Sequence, residues 1–255
     1  PLRLVGSEMC IRDRYESVES AGPGFINLTL KRADFISTIE VINKDPKNFG
    51  KSSFGESKSI QIEFVSANPT GPLHVGHGRG AAYGDAIGRI LSSSGYRVER
   101  EYYINDAGRQ IDILTASVLI RVFQNDFGDF FPKNAYKGSY ITDIGNSFYK
   151  KEKPKSLEDI STLIKKLPED EEKEIDELIL RIKNQDLDIW NLIKDFSLNE
   201  VLASIKEDLE LFNVSFDHWF FESSLGDISD EKSQIASAIK TCLLYTSPSP
   251  RDVEE

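Results

Sequence analysis

Sulfur is almost missing from this chain of 255 residues, which has two cysteines, Cys10 and Cys242, and one methionine, Met9. All three fall near the ends, so neither a redox compartment nor a thiolate metal centre can be drawn from them. Long apolar runs are missing as well. None approaches the roughly 20 residues a helix needs to cross a bilayer, and no secretory apolar segment is present, so no membrane partner and cytoplasmic residence are expected. Positive charge is in deficit, with 31 Lys and Arg against 42 Asp and Glu and a formal net charge of −11, which argues against nonspecific coating of nucleic acid. The hydrophobic fraction of 39% still allows a packed core, and the length allows one large domain or two smaller ones.

The two ends have an unusual relationship. Leu4 to Arg14 (LVGSEMCIRDR) and Cys242 to Asp252 (CLLYTSPSPRD) can be back-translated as the two strands of one DNA duplex. They resemble a transposon-type sequencing adapter joined to both ends of a fragment, and residues 1–14 and 242–255 are therefore expected to be artefacts and are set aside. What lies between has no initiator Met and is expected to be an internal piece of a longer protein.

Within that piece, Pro23 and Gly24 punctuate a turn and Phe25 to Leu30 alternates as a strand. Ala33 to Asn43 carries Phe35, Ile36, Ile39 and Ile42 at helical spacing, and residues 48–59 form a Gly/Ser/Lys linker. From Ile60 a second strand begins, with Ile60, Ile62 and Phe64 on one face. Pro69, Gly71 and Pro72 stop it. The following helix carries Gly80, Gly84 and Gly88 at four-residue intervals. Each glycine costs a helix about 1 kcal/mol, so three on one face predict a close approach, by a neighbouring backbone. Gly95 stands where a left-handed C-cap belongs, and Arg97 to Ile104 alternates as a further strand ending at Asn105-Asp106-Ala107-Gly108. Strand, helix and strand of this length predict a right-handed parallel crossover, with ligands bound beyond the carboxyl ends of the strands. Residues 60–121 hold six Arg and six acids, so the acidity lies elsewhere. Much of it lies in Lys150 to Leu211, where Ile175, Leu178, Ile179 and Ile182 at three- and four-residue spacing predict an amphipathic helical insertion packed beside the sheet, its acidic stretch a solvated face. Trp190 and Trp219 read as core or interface anchors rather than base-stacking platforms.

The chemistry concentrates at His74-Val75-Gly76-His77. Both histidines fall at a loop-to-helix junction, where unpaired backbone N–H groups and the positive end of the helix dipole favour phosphate. Their imidazoles can donate to a phosphate whose negative charge grows in a transition state, and Gly76 lets a flat base approach the backbone. The segment suits ATP bound with its α-phosphate open to attack. A metal-binding pair and a structural pair of capping histidines are the competing readings. The metal reading finds no cysteine and no evident third ligand.

The stretch SANPTGPLHVGHGRGAAYGDAIGRIL, followed by YYINDAGRQI, resembles the bacterial arginyl-tRNA synthetases, a class I group, and the likeness extends upstream to AGPGFINL and downstream through KGSYITDIG to IKEDLELFNVSFDHWFFESSL. The resemblance implies an α/β fold, the N-terminal half of a class I Rossmann-type catalytic sheet with a helical insertion. It implies the HIGH signature region at Ala67, Asn68, Pro69, Thr70, Gly71, Pro72 and Leu73 together with His74 to His77, ATP at His74, Val75, Gly76, His77 and Gly78, and catalytic roles for His74 and His77. It also implies an arginine pocket at Glu63, Ser66, Asn68 and His74. A carboxylate suits that pocket because a guanidinium offers a planar fork of donors, although Glu63 could equally be an exposed strand-end acid and Asn68 a turn residue.

The implied reaction is arginine activation by ATP with its Mg2+, without a protein-only metal site, followed by transfer to tRNA(Arg) by a monomeric cytoplasmic enzyme. The implied domains are a tRNA-contacting tail at 15–32, a linker and helix at 33–59, the Rossmann half at 60–149, a helical insertion at 150–215 and a continuation of the catalytic domain at 216–241. A lysine loop of KMSK type and a helical anticodon-binding domain do not occur in the sequence, so this polypeptide by itself is expected to be inactive. Two other functions stay in view, another HxGH nucleotidyltransferase making a small-molecule adenylate or cytidylate, and a noncatalytic tRNA-binding paralogue.

Overall fold

Alternation in Tyr15–Ala21 (β1) and Phe25–Leu30 (β2) produces an antiparallel hairpin that pairs Val18 with Leu28 and Ala21 with Phe25. The computed structural model describes residues 15–226 apart from 156, 158 and 159, together with 234, 235, 237 and 238. The terminal segments read as adapter lie outside the described residues. The described chain divides into two units, residues 15–57 with 93–96, and the rest.

In the first unit the hairpin precedes helix α1 (Arg32–Lys44), which buries none of its residues. The linker is a series of turns anchored to residues 93–95: Ser52 N–H donates to Ser93 O at 2.9 Å, Gly55 N–H to Ser94 O at 2.8 Å and Ser57 N–H to Gly95 O at 2.9 Å. Gly95 has the expected left-handed backbone, φ +90°, and a Cβ there would lie 2.7 Å from Ser52 O.

The second unit holds the expected strand, helix and strand: β3 (Ser59–Glu63), α2 (Val75–Ser93) and β4 (Arg97–Ile104), with β3 and β4 parallel and Ile60 opposite Val98. Five helices follow, α3 (Arg109–Val122), α4 (Gln124–Phe127), α5 (Ser139–Glu152), α6 (Ile160–Ile164) and α7 (Glu171–Gln185), and then the long α8 (Leu187–Leu211). The chain returns to the sheet as β5 (His218–Phe221), parallel to β4 with Tyr102 opposite Trp219, giving the strand order β3-β4-β5 among the described residues.

Helix α3 buries ten of its residues and is apolar on nearly every side, as suits a helix enclosed by others. Its polar Thr115 and Ser117 stay satisfied by donating to the carbonyls of Ile111 and Ile113. Ile175, Leu178, Ile179 and Ile182 are the buried face of α7, as their spacing predicts. The acidic residues opposite are exposed but paired: Arg109 bonds Glu172 and Asp176, and Lys133 bonds Glu171. Trp190 is 1% exposed, and Trp219 stacks on Tyr102 with ring centroids 4.6 Å apart.

The glycines of α2 require a correction. No backbone closes on them. A Cβ on Gly84 would lie 2.2 Å from the Phe64 ring and one on Gly88 3.0 Å from Arg100 Nε, whereas one on Gly80 would meet nothing within 4 Å. The close approaches are side chains, at two positions of the three.

Candidate functional site

Beyond β3 the chain turns abruptly. Val65 and Ser66 have φ of +66° and +39°, and Ser66 N–H donates to Phe64 O at 3.0 Å, which closes a tight three-residue turn. A β-branched residue pays for a positive φ in strain, a feature concentrated at functional sites. The turn makes Ser66 Oγ the acceptor for Tyr103 N–H at 3.1 Å. Asn68 then donates its side-chain amide to Gln110 at 2.7 Å. Two tyrosines hold the following loop. The Tyr102 hydroxyl accepts from Ala67 N–H at 3.1 Å and donates to Ala67 O at 3.2 Å, while the Tyr140 hydroxyl donates to Thr70 O at 2.7 Å. Burial pushes the Tyr102 phenol up to about 12, offset in part by the Ala67 backbone bond, so it stays a neutral donor.

At the start of α2 the histidine rings stack, with centroids 3.8 Å apart. His74 N–H donates to His77 Nδ1 at 3.2 Å, and Gly76 N–H donates to His74 Nδ1 at 3.1 Å. The N–H groups of His77 and Gly78 are taken by His74 O. Backbone donors expected to be unpaired here are therefore engaged at Gly76, His77 and Gly78, and the rings also take the His74 N–H. With each Nδ1 accepting, a neutral imidazole carries its proton on Nε2, so what this helix end offers a ligand is a pair of Nε2–H donors. The capping role and the ligand-facing role are compatible, since they use opposite ring nitrogens. Gly76 is needed for a nearer reason than base stacking, because a Cβ there would sit 2.9 Å from His74 Cε1. His77 is held below its ordinary 6.5 by burial and then by the adjacent His74, which favours the neutral donor. A cleft of 280 Å³ is lined by Leu73, His74, Val75 and Gly78 of the signature region and by Asp208 and Phe212 at the end of α8. Val75 itself is exposed.

The carboxyl ends of all three strands collect acids around one phenol. Tyr103, at the end of β4, is raised above its ordinary value, first by burial, then by a hydrogen bond with Glu222 and by the charges of Glu222, Glu63 and Asp106. Glu63 ends β3 and Glu222 follows β5. Asp106 is buried and accepts from both Ser223 N–H and Ser223 Oγ. Three carboxylates on one edge attract a cationic ligand group. Among the described residues no group of three or more His, Cys, Asp or Glu has the arrangement of a metal site.

Of the residues singled out in the sequence, Ser66 and Asn68 are bonded to the segment 102–110 and Glu63 adds its charge near Tyr103, while the bonds of His74 and His77 close within 74–78. The sequence reading passed over Tyr102, Tyr103, Asp106, Gln110, Tyr140 and Glu222. YYIND at the carboxyl end of β4 was the available signal for three of them. Nothing local marked Tyr140 or Glu222, which arrive from distant parts of the chain. No helix among the described residues is long and apolar enough to cross a membrane.

The family described as "tRNA synthetases class I (R), catalytic domain" matches residues 39–236. An arginine–tRNA ligase of Hydrogenovibrio crunogenus is 44% identical over 230 residues, covering 84% of this chain and 39% of the relative. One of Thioalkalivibrio sulfidiphilus is 43% identical over 217 residues, covering 82% and 37%. A Campylobacter jejuni crystal structure described as an arginyl-tRNA synthetase matches with a TM-score of 0.59 at 27% identity, covering 83% of this chain and 40% of that one. The chain thus spans less than half the length of the relatives it matches.

Proposed function

The chain belongs to the class I (R) tRNA synthetases, and from that premise we propose that it supplies the ATP-binding and arginine-binding half of a cytoplasmic, monomeric arginine–tRNA ligase. The observation that carries this reading is the pair of histidine rings whose Nδ1 atoms are occupied by backbone N–H groups, leaving two Nε2–H donors side by side at the start of a helix.

ATP supplies an electrophilic α-phosphorus, and Mg2+ accompanies it. The donor set fits a triphosphate: two imidazole Nε2–H groups and the helix dipole favour the charge that gathers on the phosphate oxygens. A carboxylate oxygen of arginine bonds to the α-phosphorus as the α–β anhydride bond breaks, giving arginyl-adenylate and pyrophosphate. The terminal hydroxyl of tRNA(Arg) then takes the arginyl group and AMP leaves. His74 and His77 orient the phosphate, and Glu63, Ser66 and Asn68 bind the amino acid. The acidic edge supplied by Asp106 and Glu222 complements a substrate that carries two positive groups. No covalent enzyme intermediate is required, since positioning and charge stabilisation suffice for phosphoryl chemistry of this kind.

The test is equilibrium binding of a non-hydrolysable arginyl-adenylate analogue, compared with the leucyl and pantoyl analogues. Arginyl should bind at least about tenfold tighter, the equivalent of one or two charge-assisted hydrogen bonds. Equal binding of the three sinks the arginine assignment, and preference for the pantoyl analogue favours a different nucleotidyltransferase.

A further inference from the structure

The signature loop is held from outside the strand–loop–helix unit. We propose that Tyr140, on helix α5, is a positioning residue for the loop that leads into His74, acting through its hydroxyl bond to the Thr70 carbonyl and the packing of its ring on Gly71. This rests on the nucleotide reading above and adds to it a residue from the helical layer.

Two glycines make room for this one ring. A Cβ on Gly71 would lie 3.0 Å from the Tyr140 hydroxyl, and one on Gly138 would lie 2.3 Å from Tyr140 Cε1. Gly138, the residue before α5, has φ −60°, a conformation open to any residue, so its requirement is space alone. The ring is thus confined between the start of its own helix and the loop. Beside it, Pro72 and Tyr140 line a cavity of 190 Å³ together with Asp143 and Ser147, so packing is interrupted at Pro72 and the Tyr140 bond matters more there. Tyr102 holds Ala67, Gln110 accepts from the Asn68 amide and Thr70 N–H donates to Asn68 O within the loop, while Tyr140 holds the Thr70 carbonyl, the point nearest in sequence to the His74 N–H bond to the His77 ring. Burial raises the Tyr140 phenol above its ordinary value, which keeps the hydroxyl proton available to donate. Releasing Thr70 frees the segment that sets where α2 begins, and with it the aim of both Nε2–H donors, where misplacement by about 1 Å is costly.

Tyr140→Phe keeps the ring against Gly71 and removes only the hydroxyl. In the purified chain it should raise amide hydrogen exchange across residues 70–78 about fivefold and weaken a non-hydrolysable ATP analogue by a similar factor, as expected for the loss of one net hydrogen bond. Exchange in α3 should be unchanged. Ser147→Ala, which lines the same cavity from the same helix, should match the parent in both readouts. Unchanged exchange at 70–78, or a rise shared by α3 and α5, overturns the proposal. If the parent chain binds the analogue and Tyr140→Phe binds it equally well, the positioning role alone falls; if the parent binds no nucleotide at all, the nucleotide reading falls and takes this role with it. Should Tyr140→Phe fail to fold, Gly71→Ala carries the test, because it pushes on the same hydroxyl from the loop side and should give the same pattern with the phenol intact.

Discussion

His77 accepts from the backbone at one ring nitrogen and, in the reading proposed above, offers the other to a phosphate, so its titration tests that reading. Its pKa is lowered by burial and then by His74. The sign follows directly. Above its ordinary 6.5 the ring is neutral folded or unfolded; as pH falls below that, the unfolded chain takes up the proton first and stability drops until the folded ring is protonated too. Nitrogen-15 NMR should therefore find a His77 midpoint below 6.5, with the neutral ring protonated on Nε2. His74→Gln should recover part of the shift and leave the larger, burial-driven part. A His77 midpoint at or above 6.5 would remove the case for a ready neutral donor. At this scale the sequence was half legible. HVGH and the loop before it pointed to the class I synthetase family, which the comparisons bear out, because residue type and spacing carry that information locally. Which backbone groups the rings consume depends on ring rotamers, and Glu222 meets Tyr103 only after a separation of more than a hundred residues has been folded away.

Helix α2 separates its glycines by consequence. Gly84→Ala drives a methyl into the Phe64 ring, which is itself packed against Phe216 at 4.5 Å between centroids, and should cost about 1–3 kcal/mol. Gly80→Ala meets open space and should stabilise by about 0.5–1 kcal/mol through helix propensity. Urea denaturation of the two variants should move the midpoint in opposite directions, and a stabilised Gly84→Ala would contradict the packing described. Strands β2 and β4 and the buried face of α7 were readable because alternation and three-to-four spacing are local. The break between α7 and α8 was not read from what appeared as one helical run, although Asp186 marks it by accepting from Ile189 N–H as the cap of α8. A lone Asp in a charged segment has many other uses, so the cap is identifiable only once the chain bends there. The reason for the α2 glycines was likewise hidden, because the sequence shows that room is made but not for whom.

For the molecule as a whole, the carboxyl edge of the sheet unites the ends of β3, β4 and β5, and the ligand chemistry proposed above uses all three. The sequence contains no lysine loop of KMSK type, and it spans 39% of the Hydrogenovibrio relative. We therefore expect the purified chain to bind nucleotide yet fail to charge tRNA(Arg) in a radiolabelled arginine assay; full turnover would show that the groups named here are sufficient alone. The order in which that edge is completed follows from the ladder between β4 and β5. Arg100 and Asp217, which bond each other at the start of that ladder, are 117 positions apart in the chain, with six helices between them among the described residues. The entropic cost of closing so long a segment grows only slowly with length, about 0.6 kcal/mol per doubling, but pairings this distant are slow to find. A ribosome releases β3, α2 and β4 long before β5 exists. The third carboxylate of the edge, Glu222, is thus the last to arrive, and a nascent chain carries His74 and His77, to which we assign the phosphate, for many seconds of synthesis, at about 5–20 residues per second, before the acidic edge proposed to receive the amino acid is complete.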